Sequence, residues 1–317
     1  MDRNLAMDAV RVTEAAALAS ARFMGLGDHV AADRAAAEAM RRAFDSIAID
    51  GTIVIGEGPE DAIHVLYVGE HVGAGGPAVD VALDALEGAT ICATGGYNAM
   101  AVIVLADRGS LLRVPDTYMD KIACGPEGRG VVDLDRSVAD NLAALAEAKG
   151  VYVEDLTVAV LDRPRHDALI DEVRAAGARI KLISDGDVAA ALATTRPEAG
   201  IDILMGVGRA PQGVLTAAAL KCLGGEMQAR LAPRNESEAN ELRRLGHLDR
   251  KRKYRLEDLA AGSVMLAATG VTPGDFLAGV RYVKGGAITN SVVMRSVTGT
   301  VRLIEAHHHF DRAPTYE

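Results

Sequence analysis

The sequence has few aromatic residues and lacks tryptophan altogether. Aromatic side chains make up 3% of its 317 residues, and the formal net charge is −10. So few aromatic residues argue against the stacking platforms on which proteins bind single-stranded nucleic acid. The acidic charge excludes the same class, because nucleic acids and anionic membranes both attract basic surfaces. We therefore predict neither a nucleic acid nor a membrane as a partner.

Cysteines and long apolar runs are also scarce. The chain has three cysteines, Cys92, Cys124 and Cys222, which are far apart and show neither a disulfide framework nor a zinc-ligand spacing. The N-terminal segment lacks the apolar core of a signal peptide, and no apolar stretch reaches the roughly 20 residues that span a bilayer. These absences predict a cytoplasmic protein.

What is present is the patterning of an α/β protein. Alanine-rich segments at 5–25 and 30–46 have helical spacing, and segments 64–73 and 78–88 have the composition of strands. Residues 98–115 are predicted to form a hairpin with its turn at an Arg-Gly pair. This first part, residues 1–135, is predicted to be a mixed α+β half.

Beyond residue 135, short strands alternate with helices, which indicates parallel βαβ units. The charged segment 232–256 is interpreted as a solvated helix and loop. Residues 289–308 are predicted as a C-terminal β-hairpin, and consecutive histidines lie within its strand pattern. The sequence therefore predicts a second, α/β half over residues 136–317.

Four acids in the first half have the character of metal ligands. Asp84 and Glu87 stand three apart in "DALEGAT", directly after a predicted strand, and Glu57 lies in the glycine-rich turn "IGEG". Asp33 lies on a predicted helix. Carboxylate oxygens suit Mg²⁺ or Mn²⁺, hard cations that often bridge carboxylates to a substrate phosphate. Each acid alone is better explained as a surface residue than as a metal ligand, but together they predict a metal site.

Basic residues and glycines follow strands of the second half, where α/β folds bind ligands. "DRPRHD" places Arg163, Arg165 and His166 after one strand, and the planar guanidinium group suits phosphate. The glycine-rich "GVGRAPQG" opens a helix, whose backbone N–H groups suit the same anion. His166 is left open as an acid–base group or a structural cap.

Two further stretches complete the predicted ligand site. "SDGD" places Asp185 and Asp187 after the next strand, where their oxygens suit sugar hydroxyls. "DTYMDK" adds Tyr118 and Lys121 as phosphate partners, and ordinary edge-strand residues are the alternative interpretation. These stretches predict a small, phosphorylated sugar as the ligand.

These motifs, in this order, resemble the class II fructose-1,6-bisphosphatases, the GlpX family. The likeness runs through "DGTIVIGEG", "YMDKIACGP", "DRPRHDALI", "SDGDVAA" and "VMRSVTGTVRLIEA", and so covers nearly the whole chain. The resemblance implies the sugar-phosphatase fold shared with inositol monophosphatases, a layered αβαβα arrangement. It also implies dependence on Mg²⁺ or Mn²⁺, a homo-oligomer (dimer or tetramer), and cleavage of the 1-phosphate of fructose 1,6-bisphosphate.

The resemblance also implies roles for individual residues. The positions that match the family's metal-binding acids are Asp33, Glu57, Asp84 and Glu87, of which the last three are also expected to be catalytic. The positions that match its substrate-binding residues are Tyr118, Lys121, Arg163, Arg165, Asp185, Gly186 and Asp187. Gly208 and Arg209, in the glycine-rich loop, are expected to bind substrate as well.

The chain departs from the family pattern at several of these motifs. The family's motif D-P-I-[DE]-G-T carries a threonine that helps to orient the attacking water, and this chain has alanine in its place. Two acids are lost and two arginines gained, which makes the site four charges more positive than the pattern. The substitutions are Arg34 and Arg209 for glycine, Pro59 and Gln212 for glutamate, Ala85 for proline and Ala89 for threonine.

The sequence is compatible with three functions. The first is a divergent metal-dependent phosphatase that acts on a sugar phosphate. The second is a scaffold recruited to elimination or isomerisation of a related sugar phosphate, and the third is a non-catalytic paralogue that binds one. Thr90 stands one residue too late in the chain to replace the missing threonine without a local shift.

Overall fold

The computed structural model describes residues 5–59 and 64–310. Its helices are α1 (Leu5–Ser20), α2 (His29–Phe44), α3 (Ala89–Thr94), α4 (Val138–Lys149), α5 (Asp167–Ala175), α6 (Asp187–Ala193), α7 (Ala210–Leu223), α8 (Glu236–Arg244) and α9 (Leu256–Leu259). Its strands are β1 (Asp50–Ile55), β2 (His71–Val72), β3 (Ala78–Glu87), β4 (Met100–Asp107), β5 (Tyr118–Cys124), β6 (Thr157–Leu161), β7 (Arg179–Ile183), β8 (Ile203–Arg209), β9 (Glu226–Leu231), β10 (Tyr254–Arg255), β11 (Val264–Gly270), β12 (Arg281–Val283), β13 (Gly286–Arg295) and β14 (Thr300–His309).

The strands of the described residues form two sheets. The first sheet has the order β12-β13-β11-β4-β3-β1-β2, with β14 along the free side of β13, and the second has the order β10-β9-β5-β8-β6-β7. Both are mixed: β1 and β3 are parallel in the first sheet, and β6 is parallel to β7 and β8 in the second. The predicted parallel units are therefore limited to the β6–β8 region.

Five layers stack in the order helix, sheet, helix, sheet, helix. Helices α1 and α2 pack on the outer face of the first sheet. Helices α6 and α7 fill the space between the two sheets, and α4 and α5 cover the outer face of the second. This arrangement confirms the predicted layered αβαβα fold.

The central strand β4 has an uninterrupted apolar sequence over residues 100–106 because both of its faces are buried. Its residues Ala101, Ile103 and Leu105 face α1 and α2. Its alternate residues, Val102 and Val104, face the helices between the sheets. A strand buried on both faces carries apolar residues at every position rather than at alternate ones. Among the described residues, no helix combines the length and apolar character that crossing a membrane requires.

Two predicted elements of the first half are wrong. Segment 64–73 contributes only the two-residue strand β2, and its remainder is bends and turns. Residues 98–115 do not form a hairpin, because the chain after β4 makes only an isolated bridge, Leu111 to Ala260, before it enters the other sheet as β5. Strand β5 is an interior strand and not an edge.

The C-terminal hairpin is confirmed as β13 and β14, which pair over ten residue pairs and include the consecutive histidines. These strands complete the first sheet, whereas β5 lies in the second. Each sheet therefore draws strands from both sides of residue 135, and the division into halves at that point stays a prediction.

Candidate functional site

A cavity of about 540 Å³ opens between the two sheets, where the ends of β1, β3, β6 and β8 meet the first turns of α2, α3 and α7. Most of the residues predicted from the sequence line it. They are Asp33, Glu57, Asp84, Glu87, Tyr118, Arg163, Arg165, Asp185, Asp187, Gly208 and Arg209. The structure thus brings an acidic wall from the first sheet and α2, formed by Asp33, Glu57, Asp84 and Glu87, together with arginines and the acids Asp185 and Asp187 from the second sheet and α6.

A β-bulge in β3 lets the two acids of "DALEGAT" share one cavity. In a regular strand, residues three apart point to opposite faces. Asp84 pairs with Val102 of β4 but Glu87 pairs with Met100, so β3 contains one residue more than its partner between these points. The extra residue restores a common side for both acids, and both line the cavity.

Burial raises the pKa values of Glu57 and Asp84, so both acids bind their protons more tightly than free side chains do. Burial, together with the nearby charges of Asp84 and Asp33, raises the pKa of Glu57 to about 8. Burial also raises the pKa of Asp84 to about 6, against the opposing effect of a hydrogen bond from Gln212. Arg209 lowers the pKa of both acids. The positive charge of Arg209 therefore only partly offsets the burial of these two carboxylates and their mutual repulsion.

Glu87 is the most deeply buried of the four acids. It is 3% exposed, and burial followed by the charge of Asp187 raises its pKa well above the usual range. Its Oε1 accepts a hydrogen bond from the N–H of Val188 at 3.0 Å. Its Oε2 is buried and finds no hydrogen-bond partner within the described residues. This oxygen is free to bind a cation or to carry a proton.

The raised pKa of Glu57 makes the stability of the protein pH-dependent. Between its ordinary pKa of 4.5 and about 8, the folded chain holds a proton that the unfolded chain releases. In chelator, the free energy of unfolding should therefore fall as the pH rises from 5 to 8, by up to about 1.4 kcal/mol per pH unit for each extra proton held. Urea unfolding at pH 6, 7 and 8 measures this slope. Glu57→Gln should reduce the slope between pH 6 and 8, and an unchanged slope would contradict the assignment.

Gln212 lies against Asp84, at the start of α7. Its Nε2 donates a hydrogen bond to Asp84 Oδ2 at 2.9 Å, while its own Oε1 is buried without a hydrogen-bond partner among the described residues. A carboxylate at this position would face Asp84 with like charge and would require a cation or a proton between them. The amide removes that requirement for one of the two Asp84 oxygens.

The basic wall consists of Arg163, Arg165 and Arg209, which differ in their hydrogen-bond and ion-pair partners. Arg163 donates to the carbonyls of Asp162 and Ser184, at 2.8 and 2.6 Å. Arg165 likewise donates to a backbone carbonyl, that of Val207. Arg209 is exposed, and its Nε lies 3.6 Å from Asp116 Oδ1. Of the three, Arg209 is therefore the one most available to an incoming anion.

Tyr118 is held between two guanidinium groups. The Cζ atom of Arg165 lies 4.8 Å from the centre of the tyrosine ring, and that of Arg234 lies 4.5 Å from it. Cation–π contacts of this kind favour one ring orientation. Arg234 comes from the charged segment 232–256, which the sequence predicted only as solvated chain.

Lys121 and Asp187 form a buried ion pair at the floor of the site. Lys121 Nζ lies 2.5 Å from Asp187 Oδ2, and the lysine is 2% exposed. A Cβ atom on Gly208 would lie 2.4 Å from the same carboxylate oxygen, so only glycine fits beside the pair. Lys121 and Gly186, both predicted to bind substrate, do not line the cavity, and Gly186 instead precedes α6 in a left-handed conformation.

The departures from the family pattern divide into those near the cavity and those away from it. Ala89, Arg209 and Gln212 line it. Arg34 is exposed on α2 and does not line it, whereas Pro59 lines a second cavity of about 790 Å³. Two of the four expected charge differences therefore fall on the site. Ala85 is buried in β3, within the bulge.

Several other lining residues were not predicted as site residues, among them Thr90, His29 and Pro211. Thr90, the second residue of α3, is exposed and lines the cavity next to Ala89. His29 lies one turn before Asp33 on α2. Burial raises the pKa of Asp33, and the charge of His29 opposes this shift. The spacing of four between His29 and Asp33 is the sequence signal that could have identified this histidine. Pro211 has no such signal.

The comparisons with known proteins agree with this geometry. The family model described as "Bacterial fructose-1,6-bisphosphatase, glpX-encoded" matches residues 3–308. A D-fructose 1,6-bisphosphatase class 2/sedoheptulose 1,7-bisphosphatase from Synechococcus elongatus is 42% identical, with 99% of each chain covered. A fructose-1,6-bisphosphatase 1 class 2 from Escherichia coli is also 42% identical, covering 98% of this chain and 97% of its own length. The chain therefore belongs to the bacterial, glpX-encoded fructose-1,6-bisphosphatase family.

Proposed function

We propose that this protein hydrolyses a phosphomonoester of a sugar bisphosphate with the help of Mg²⁺ or Mn²⁺. The observation that carries the proposal is the division of one cavity into an acidic and a basic wall. Carboxylates suit a hard divalent cation, and guanidinium groups suit phosphate. The names of the relatives indicate fructose 1,6-bisphosphate and sedoheptulose 1,7-bisphosphate as the first substrates to test.

The acidic wall fits a divalent cation in the chemistry of its donors. Within residues 5–59 and 64–310, no three ligand side chains already converge on one point. However, Asp33 raises the pKa of both Glu57 and Asp84, and Glu87 Oε2 has no hydrogen-bond partner in the described chain. A cation among these oxygens would offset their mutual repulsion.

We assign the cation to Asp33, Glu57, Asp84 and Glu87. When bound, the ion would polarise the phosphoryl oxygens and lower the pKa of an attacking water. Gln212 supplies no second carboxylate, and its amide occupies one oxygen of Asp84. We therefore infer that this site binds its cation more weakly than a site with a glutamate at position 212 would.

The basic wall is assigned to the substrate's phosphates. The exposed guanidinium group of Arg209 is placed to meet a phosphate that enters the cavity, and Arg163 and Arg165 lie further along the same wall. Asp185, whose pKa is raised by burial, lines the cavity near Arg163 and is available to a sugar hydroxyl. We also infer a homo-oligomer, a dimer or tetramer, since β14 is a long edge strand with Leu303 61% exposed.

Two observations favour the alternatives without hydrolysis. Ala89 contributes no hydroxyl to the cavity, and Gln212 contributes an amide where a second acid would strengthen metal binding. A chain with an intact basic wall and a weakened acidic wall would still bind a sugar phosphate. Binding without turnover, or elimination or isomerisation of the bound sugar, is therefore the second candidate.

Phosphate release from a panel of sugar mono- and bisphosphates tests the proposal. The full chain is assayed with Mg²⁺, with Mn²⁺ and with chelator, beside Asp84→Asn as a control that keeps the shape of the side chain and removes its charge. We expect metal-dependent release from bisphosphates that chelator abolishes and the variant lacks. No release, with a rise in melting temperature on adding the sugar phosphate, would indicate a binding protein. A rearranged sugar that retains its phosphate would indicate the non-hydrolytic function.

A further inference from the structure

Strand β8 loses its neighbour just before it reaches the cavity. On one side it pairs with β5 along its whole length, from Ile203 to Arg209. On the other side, its pairing with β6 covers only Ile203 and Leu204. The backbone groups of later residues that face β6 therefore need other partners, because a buried peptide group without a hydrogen bond is costly.

His166 supplies the first of these partners. It lies in the short turn after β6, is 2% exposed, and its Nε2 is 2.8 Å from the N–H of Val207, from which it accepts a hydrogen bond. Its Nδ1 lies 2.7 Å from the carbonyl of Leu161, the last residue of β6. Only a neutral ring with its proton on Nδ1 satisfies both contacts, because Nε2 must accept and Nδ1 must donate.

Arg165 supplies the second partner. Its Nε and NH2 groups both donate to the carbonyl of Val207, at 3.0 and 2.8 Å. The imidazole of His166 thus accepts from the N–H of Val207, and the guanidinium of Arg165 donates to the C=O of the same residue. Together they replace the strand that β8 lacks at this point.

The segment held in this way carries part of the candidate site. Gly206 precedes Val207 with φ +120°, and a Cβ atom on it would lie 2.9 Å from His166 Nε2, so the ring and the strand fit closely. Gly208 follows against the Lys121–Asp187 pair. Arg209, which ends the strand, leads directly into α7. A shift of Val207 would therefore move the cavity's most available guanidinium group.

We propose that His166 is a positioning residue, which as a neutral imidazole protonated on Nδ1 fixes residues 206–209 in the wall that meets the phosphate. It touches neither the cation nor the phosphate in this scheme. The effect on ligand binding rests on the proposed function, whereas the protonation state and the contact to Val207 do not.

The surroundings of His166 are consistent with a neutral ring. Burial lowers its pKa from the ordinary value of 6.5, and the adjacent charge of Arg165 lowers it further. The hydrogen bond to the Leu161 carbonyl and the charge of Asp120, on β5, act in the opposite direction and raise the pKa. Protonation of Nε2 would replace the acceptor of the Val207 N–H by a second donor, so acid would break the contact.

Nitrogen NMR of the wild-type chain, labelled with ¹⁵N-histidine, tests the protonation state directly. The chain has eight histidines, and the signal of His166 is identified as the one lost in His166→Gln. We expect that ring to remain neutral, with its proton on Nδ1, at a pH where a free histidine is half protonated, about 6.5. A ring that titrates near that pH, or that carries its proton on Nε2, would overturn the proposal whether or not the protein is an enzyme.

A pair of variants tests the positioning role. Glutamine can still accept from the Val207 N–H, whereas leucine cannot. His166→Leu should weaken binding of sugar bisphosphate about tenfold, seen as a higher KM, or as a higher Kd in calorimetry if there is no turnover. His166→Gln should recover most of this loss, and kcat should change less than KM. Equal binding by the two variants and the wild type, or equal loss in both, would refute the role. Melting temperatures show whether a variant is simply unfolded, in which case the NMR result alone decides.

Discussion

Replacing Ala89 by threonine is expected to raise the rate of phosphate release by about 10²–10⁴-fold, the range of a positioned acid–base group. Ala89 begins α3 directly after Gly88, which has φ +85°, and it lines the cavity next to Glu87. A hydroxyl added there would lie in the cavity that the acids line, where it could accept a hydrogen bond from an attacking water or donate one to it. The measurement is kcat/KM for the best substrate of the panel, at saturating metal.

Ala89→Val is the matched control, because valine has the shape of threonine without its hydroxyl. It should leave the rate at or below that of the wild type. Thr90→Ala is the second control, since Thr90 lines the same cavity. If Ala89→Thr gives no gain while Thr90→Ala loses activity, the hydroxyl already comes from Thr90, and the idea that Ala89 limits the rate is wrong.

Replacing Lys121 by methionine is expected to lower the free energy of unfolding by about 3–5 kcal/mol, the usual cost of removing one partner from a buried ion pair. Lys121 Nζ lies 2.5 Å from Asp187 Oδ2, and both side chains are almost fully buried. Without the ammonium group, Asp187 would share its surroundings with Glu87, whose pKa its charge already raises. Urea unfolding at pH 7, in chelator, measures the loss.

The double variant Lys121→Met, Asp187→Asn is the control for this effect. It removes both charges, so most of the lost stability should return. A single variant within about 1 kcal/mol of the wild type would contradict the prediction, because it would mean that solvent already screens the pair. Recovery in the double variant would distinguish an uncompensated charge from the loss of packing around the lysine stem.

Local patterns in the sequence predict elements that are stabilised locally. Helix α2 is an example: Asp28 caps it by accepting from the N–H of Ala31, and its buried alanines recur at helical spacing. Strand β5 could not be assigned to its sheet in this way, because its partners β8 and β9 lie about 80 and 110 residues further along the chain. The same limitation explains the wrong hairpin over residues 98–115, whose second arm is replaced by a contact with Ala260.

Much of the composition of the candidate site was predictable because Glu57, Arg163, Arg165 and Asp185 follow the ends of strands, and such ends meet at one edge of a sheet. The contacts within the site were not predictable. Neither the stacking of Arg234 on Tyr118 nor the bond from Gln212 to Asp84 follows from spacing, since each joins residues more than one hundred positions apart. The structural role of His166 likewise depends on where β6 ends relative to β8.

The bulge in β3 determines which sequence changes the candidate site can tolerate. Asp84 and Glu87 share the cavity because the strand has one residue more than its partner between them, and this excess does not depend on which side chain supplies it. Ala85 stands within the bulge where the family pattern has proline, and the acids still face the same way. The common side of the two acids depends on the number of residues between them and not on the identity of those residues. A substitution within the bulge should therefore preserve this geometry, whereas deletion of one residue would turn one carboxylate away from the cavity.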